Sequence, residues 1–457
     1  MNLLTLNKKI TDRQRRSFWL ALLFFNLCVQ SLEIMDSVLF DFLSPDFFFV
    51  LNLLALGISL GKGIYEKKAV YLLGLCFIAW YTVCCFVKAD FSSFRRGGMF
   101  TVALLISAWG LALPFVNLTG DFDKKRALNI ILSVLTVILA IAVWAALIAT
   151  FRRTSFTLPG SDKVFGILRT YVEWGIRDQY PLIFGMHRFY TAYLSMLAFF
   201  MALYLYMRKK MRPLMLFAML GFVLAISLTK CRMALLSFGL GLFTLGIFLY
   251  RDKNPDASPQ KTILAGAAIA LAVAVCMTFL WQFGTLASVY ILLPIGGQND
   301  HIWRAFSKRL LDGNGRLELW ATIPDMLKGC APSGYLFGMR EDVLYPLIQD
   351  SQKMNHMHSG YFSALMLMGL PGFLMSLVFL FKTVKDVLFI FLKTKTHSIP
   401  RENMLLLPIP VCFLFAALGE PILFVGYFFR MITLVCYLVS GYVFELADRI
   451  RKEELPC

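Results

Sequence analysis

From Pro213 to Tyr250 the chain runs through apolar residues almost without interruption, broken only at Lys230-Cys231-Arg232. As one helix this stretch would be ~57 Å long at ~1.5 Å per residue, far beyond the ~30 Å hydrocarbon core of a bilayer. It is therefore expected to fold as two membrane helices with a tight turn near Arg232. Runs long enough to cross a bilayer recur at 17–32, 47–61, 69–87, 99–118, 127–151, 190–207, 213–229, 233–250, 262–283, 359–381, 404–419 and 421–446. The expected fold class is all-α, a polytopic membrane protein of about 12 transmembrane helices. Residues 1–457 are expected to form a single polytopic membrane domain.

Composition supports the same class. Of the 457 residues, 58% are hydrophobic and 16% charged, with a mean hydropathy of +0.68. Soluble domains carry roughly 25% charged residues, so a soluble enzyme, a disordered hub and a secreted disulfide scaffold are excluded. The net charge of +17 would suggest nucleic acid in a soluble protein. Here the positive residues lie between apolar runs, where anionic headgroups and retention during insertion account for them. No zinc-finger spacing, base-reading basic helix or aromatic RNA-binding motif is present. Membrane lipids are the expected partners, and nucleic acid is not. Of the ten cysteines, Cys28, Cys76, Cys84, Cys85, Cys276, Cys412 and Cys436 lie in apolar stretches, and no C-x-x-C pair occurs. They read as small hydrophobes rather than as a metal or redox site. Basic residues precede the first apolar run with no small-residue cleavage site after it, so that run is expected to remain as a helix.

Lys and Arg distribution predicts the orientation. Residues 1–16 carry Lys8, Lys9, Arg13, Arg15 and Arg16, and alternate connections carry Lys67-Lys68, Lys124-Lys125-Arg126, 208–212, 251–261 and 382–401. With Lys62 and the C-terminal tail these hold more than half of the 45 Lys and Arg, while the first opposite connection holds Glu33, Asp36, Asp41 and Asp46 and no positive residue. The positive-inside rule then places both termini in the cytoplasm. Two long connections, 152–189 and 284–357, fall on the outer face. The second contains Trp303, Trp320, Tyr335 and Tyr345, and is expected to fold, with a helix from Leu317 to Lys328 bent at Pro324. Segment 382–403 mixes lysines with a Val387–Leu392 apolar run, a pattern suited to a helix on the membrane surface.

Three outer-face sites can carry chemistry, each with a plainer reading beside it. Thr229-Lys230-Cys231-Arg232 is either a snorkelling flank or a guanidinium fork that holds phosphate oxygens. Gly315-Arg316-Leu317-Glu318-Leu319-Trp320 is either an amphipathic helix with a solvated Arg316, or it places Arg316 at an anion-favouring helix N-terminus. His356-Met357-His358-Ser359-Gly360-Tyr361 carries two of the five histidines. At spacing i, i+2 they face apart, which disfavours a metal site from this pair. A single imidazole can take up a proton near neutral pH, or can simply be a polar rim residue.

In order and in membrane side these motifs resemble the O-antigen ligase and O-antigen polymerase superfamily, over about Leu214 to Leu380. The family pattern is a Thr/Ser-rich helix end closing on Arg, then Gly-Arg-x-x-x-Trp in a large loop. A Pro/Gly-rich stretch follows, then His-Asn-x-Tyr leading into a helix with Gly-x-x-Gly. Here these read Thr229-Lys230-Cys231-Arg232, Gly315-Arg316 with Trp320, Pro332 through Gly338, and His358-Ser359-Gly360-Tyr361 with Gly369 and Gly372. Cys231 stands where the family often has Ser, and Ser359 replaces Asn. Phe184-Gly185-Met186-His187-Arg188 is more loosely similar, and the first ~180 residues match in hydropathy alone.

The resemblance implies an O-antigen ligase-like core at 213–381, an outer-face loop at 284–357 and a glycosyltransferase C-like membrane fold. It also implies a metal-independent inverting glycosyltransferase of surface polysaccharide biosynthesis, without cofactor, in the bacterial cytoplasmic membrane. Such an enzyme moves a glycan from an undecaprenyl-diphosphate carrier to a glycan or lipid-core acceptor hydroxyl on the outer side. His358, Arg316 and Arg232 would be catalytic, with Arg188, His187, Trp320 and Tyr361 binding substrate. A repeat-unit polymerase shares these residues. A lipid-linked glycan flippase is a further reading, but a transport path needs ionisable residues at mid-membrane depth. Arg430 is the clearest such residue, with Glu420 near the outer rim.

Overall fold

The computed structural model describes residues 45–61, 65, 68–88, 98–118, 121–152, 155–157, 164–167, 171–173, 176–178, 181–183, 188–209, 211–229, 231–286, 316–329, 331–340, 343–344, 346–348, 357–393, 401–425 and 430–454, with isolated positions 14, 21 and 25. In chain order these include α1 (Pro45–Leu60), α2 (Ala69–Lys88) and α3 (Met99–Leu105), which passes into a π-helical segment (Ile106–Ala112). α4 (Phe115–Leu118) and α5 (Asp121–Phe151) follow. After five short strands come α6 (Arg188–Met207), α7 (Arg212–Leu228), α8 (Arg232–Lys253) and α9 (Pro259–Leu286). The last third holds α10 (Arg316–Lys328), α11 (Ala331–Phe337), α12 (Gly360–Lys393), α13 (Arg401–Met404), α14 (Pro408–Gly419) and α15 (Arg430–Glu454).

The protein is a multi-pass helical membrane protein. Among the described residues, seven helices are long and apolar enough to cross a bilayer, and four shorter apolar helices are Phe49–Leu60, Met99–Ala112, Arg212–Leu228 and Pro408–Gly419. Each overlaps one of the expected segments from 47–61 onward, with ends that differ in several of them. The first expected span, 17–32, lies outside the described residues except at isolated positions. The long apolar run divides as anticipated, α7 ending at Leu228 and α8 starting at Arg232. Thr229 ends α7 by donating its hydroxyl to the Ile226 carbonyl at 2.8 Å, while Cys231 is extended and breaks the helical path.

Aromatic packing joins the crossing helices. Trp109, at the centre of the π-helical segment, is fully buried, with ring centroids of Phe77 and Phe379 at 4.9 Å and of Tyr437 at 4.6 Å. Gly74 of α2 makes room for it, since a β-carbon there would lie 3.0 Å from the indole. These contacts unite α2, the π-helical segment, α12 and α15.

α12 is broken near its start, and the break is held from outside. Gly369 has φ +68° and ψ −168°, a backbone region essentially restricted to glycine. Two residues on, Pro371 has no N–H to return to the Leu367 carbonyl. Three neighbours supply the lost donors. The Met339 amide donates to the Met366 carbonyl at 2.6 Å, the Lys88 ammonium to the Leu367 carbonyl, and the Trp80 indole to the Met368 carbonyl at 2.8 Å. Satisfying every freed carbonyl is what a membrane interior demands of an interrupted helix. Past the break, 370–393 is ~36 Å long, sufficient to cross alone.

That break corrects one expectation. Segment 382–403 was expected to lie on the membrane surface, yet 382–393 continues α12 as a single helix. The first residues of α12 are spent before the break, so the crossing portion extends further along the chain. Buried Asp386 pairs there with Lys382 and Arg451. Arg451 also meets Asp448 at 2.8 Å, and Lys68 meets Glu445 at 2.6 Å and Asp448 at 2.7 Å. This ion cluster joins α2, α12 and α15 at the end of the bundle opposite Gly360.

Two further expectations are revised. The last span was drawn as 421–446 with Arg430 inside it. Residues 420–425 instead form a buried irregular segment, and α15 begins at Arg430, whose guanidinium stands 4.0 Å from the Phe100 ring. A charge at a helix end is no mid-membrane relay. The all-α expectation does not extend to 152–189, where Ser155–Thr157, Val164–Ile167 and Pro181–Leu182 form an antiparallel sheet, and Tyr171–Glu173 pairs with Ile176–Asp178. β-branched and aromatic residues such as Val164, Phe165 and Val172 suit strands.

Replacing Gly369 by Ala tests the break. The backbone cost is about 1–3 kcal/mol for a residue forced into this region, and the β-carbon would also press on the Leu336 backbone. The thermal unfolding midpoint in detergent is expected to fall clearly. An unchanged midpoint would contradict this account of the break.

Candidate functional site

At the end of the bundle where α8 and α12 begin and α14 ends, three segments of the chain converge. α10 starts at Arg316, and its guanidinium Nη2 donates to Glu420 Oε1 at 2.7 Å. The Glu420 side chain is 1% exposed, and that of Arg316 19%. The second carboxylate oxygen, Oε2, stands 3.8 Å from His358 Nδ1, beyond hydrogen-bond distance. One buried carboxylate thus faces both an arginine from α10 and the histidine ahead of α12.

Local geometry explains each placement. Glu420 closes α14 in an extended conformation, with its amide still bonded to the Ala416 carbonyl at 3.0 Å. The chain then folds tightly: the Ile422 amide donates to the Glu420 carbonyl at 2.8 Å, and Leu423 takes φ +77°. His358 itself has φ +50°, a left-handed conformation costly for a residue with a β-carbon and one that accumulates at functional sites.

A seam holds the two segments together. Ser359 donates its hydroxyl to the Ala417 carbonyl at 3.3 Å, and Tyr361 to the Leu414 carbonyl at 3.1 Å. Gly360 between them lies against the Ile422 carbonyl so closely that no β-carbon fits. The Trp320 indole donates to the Met357 carbonyl at 2.9 Å and packs on Phe362 at 5.2 Å, tying α10 to the residue before His358.

Arg232 is the first residue of α8 and half-buried. Its neighbour Met233 comes within 3.0 Å of the point a β-carbon on Gly419 would occupy, and Arg316 Nη1 within 3.1 Å of the same point. The start of α8, the end of α14 and the Arg316 guanidinium therefore meet around Gly419. Buried Tyr193 of α6 lies in electrostatic range of Cys231, Glu420 and Arg316. Arg232 and Arg316 each begin a helix, where the backbone N–H groups and a guanidinium both favour an anion.

Of the residues singled out in the sequence, the structure brings Arg316, Trp320, His358 and Tyr361 together, with α8 beginning beside them at Arg232. Trp320 and Tyr361 both spend their polar atoms on backbone carbonyls within the seam. Arg188 opens α6, but its side chain, His187 and His356 lie outside the described residues, as does 287–315 of the long loop. Among the described residues no three His, Cys, Asp or Glu side chains gather as a metal site would require. Glu420 was read only as a rim residue. The signal for it is its isolation: it is the single carboxylate between Glu402 and Glu445.

Residues 217–377 match a family model described as O-antigen ligase. The match includes Arg232, Arg316, Trp320, His358 and the Gly369 break, and ends before Glu420. Neither the curated proteins nor the solved structures yield a match.

The seam predicts that Gly360→Ala cannot be absorbed by side-chain movement, because the obstructing atom is backbone. Thermal unfolding in detergent should shift down and the activity proposed below should fall at least ~10-fold, from misplacement of reacting groups by an ångström or so. Unaltered activity and stability would show that the seam does not hold His358.

Proposed function

We propose, from the match of residues 217–377 to the O-antigen ligase family, that this membrane enzyme ligates a glycan from undecaprenyl diphosphate onto a lipid-core acceptor hydroxyl. The transfer takes place on the outer face of the bacterial cytoplasmic membrane. The observation that carries this reading is the convergence of Arg316 and His358 on one buried carboxylate, beside the start of α8 at Arg232.

His358 takes the proton of the acceptor hydroxyl. The oxygen attacks the anomeric carbon from the face opposite the diphosphate, and the carbon–oxygen bond to the diphosphate breaks with its electron pair leaving on phosphate. The configuration inverts. Arg316 and Arg232 hold the charge that grows on the departing diphosphate, which a guanidinium fork matches in shape as well as sign. A positioned base contributes typically ~10²–10⁴-fold to such a step. Arg188 and His187 are proposed to line the approach of substrate.

Orientation follows from charge. The ion cluster of Lys68, Lys382 and Arg451 lies opposite the site, and its basic connections are those that the positive-inside rule retains in the cytoplasm. A cysteine placed at Asp256, exposed between α8 and α9, should react with an impermeant thiol reagent only after permeabilisation, on a background lacking other cysteines. Labelling of intact cells there would reverse the topology.

Transfer is measured with purified protein, a lipid-linked glycan donor and separate acceptors. His358→Ala should lower transfer ~10²–10⁴-fold while donor binding persists. Arg316→Lys, which keeps charge but loses the fork, and Arg232→Ala should both weaken donor use at least ~10-fold. Normal transfer by His358→Ala would overturn the base assignment. Product formed on a second lipid-linked repeat, and none on lipid core, would make the enzyme a polymerase.

A further inference from the structure

The proposed chemistry uses Arg316 and His358 but leaves the carboxylate between them without a task. Packing does not supply one. A buried ion pair is rarely more stabilising than apolar residues of the same volume, and 403–444 is otherwise nearly uncharged. Geometry is more informative. Arg316 engages Oε1 at 2.7 Å, which fixes the rotation of the carboxyl group and aims Oε2 at the imidazole. The contact is to Nδ1, the ring nitrogen nearer the backbone, which leaves Nε2 on the other side of the ring. His358 is kept in its left-handed conformation by the bonds of Ser359 and Tyr361 to α14, the very helix whose end carries Glu420. Histidine and carboxylate are thus mounted on one frame.

Resting on the reading of His358 as the base, we infer that Glu420 is a positioning residue that acts through His358. Held by Arg316, it accepts a hydrogen bond from the imidazole Nδ1–H and so presents Nε2, unprotonated, to the acceptor hydroxyl. When the hydroxyl proton arrives at Nε2 the imidazolium is left beside a carboxylate, which offsets its charge. The proton count balances: the acceptor loses one, Nε2 gains one, and Glu420 remains ionised throughout. The separation of 3.8 Å closes to a hydrogen bond with less than about 1 Å of movement, the sense in which such contacts tighten once substrate is bound.

The arrangement also links the two halves of the reaction. Arg316 meets the donor's diphosphate and, through Oε1, orients the group that orients the base. A donor seated on Arg316 leaves the guanidinium's remaining N–H groups to choose between phosphate and carboxylate, and the fork has five in fixed geometry.

The test is a double-mutant cycle in the reconstituted transfer assay. Glu420→Gln keeps the volume and an oxygen for Arg316, but cannot draw the Nδ1 proton toward a negative charge. Its kcat should fall at least ~10-fold, with the donor KM unchanged. In the His358→Ala background the same substitution should cost nothing further, since its route of action is gone. Equal losses in both backgrounds, or a rise in donor KM with kcat retained, would overturn the inference and assign Glu420 to Arg316 alone. Normal transfer by His358→Ala would instead remove the base assignment on which the inference rests. If Glu420→Gln fails to accumulate in membranes, the cycle is run with Glu420→Asp, which keeps the charge one methylene further back. Its loss must likewise vanish without His358, and persistence of the loss would be contrary.

Discussion

The Arg316–Glu420 pair is the interaction around which this end of the molecule is arranged. Glu420 is almost wholly removed from solvent, and an ionised carboxylate in such surroundings is tolerated only with a partner. The partner comes from α10, a helix of mixed polarity with Leu319, Ile323 and Leu327 buried along one side and Leu317, Glu318 and Asp325 exposed on the other. Apolar packing alone would let such a helix slide over the bundle, because hydrophobic contact is not directional. A single 2.7 Å bond to a carboxylate at a fixed helix end sets its register. Trp320, one turn on, adds the second anchor at the Met357 carbonyl.

The broken helix makes that arrangement possible. A straight α12 would carry its own first turn toward the membrane surface. Gly369 and Pro371 divide it, and α11 and the end of α2 seal the break with the Met339 amide, Lys88 and Trp80. The short first portion, 360–368, is then free to pack along α14, where Gly360 meets the Ile422 carbonyl. His358 and Leu423 hold positive φ at the seam, as Lys209 and Met211 do at the turn between α6 and α7. Far from the seam, the ion cluster around Asp386 ties α12 to α2 and α15.

Much of this was legible in the amino-acid sequence. Apolar runs give the helices, because a bilayer admits few other structures, and the turn at Lys230-Cys231-Arg232 follows from length alone. The helix at Arg316–Lys328 was placed within a residue of its observed start. What was not legible depends on long-range partners. Glu420 and Arg316 are over a hundred residues apart, and no local pattern pairs them. The continuation of α12 past Lys382 escaped for the same reason: Lys382 and Lys385 look like a membrane surface until Asp386 and Arg451 are brought together. Strands in 155–182 are short and interrupted, and so leave only a weak alternation. The proposed catalytic side chains were recognisable one by one; the carboxylate joining two of them was not.

The most direct measurement asks where the lipid-linked donor binds. A photo-crosslinking side chain placed at Met233, beside Arg232 and in reach of Gly419 and Arg316, is compared with one at Lys385, exposed at the opposite end. Irradiation with a polyprenyl-diphosphate-linked glycan should capture the donor at position 233 and not at 385, and excess inorganic diphosphate should reduce the capture. Capture at 385 alone, or equal capture at both positions, would contradict a donor site built on Arg316 and Arg232.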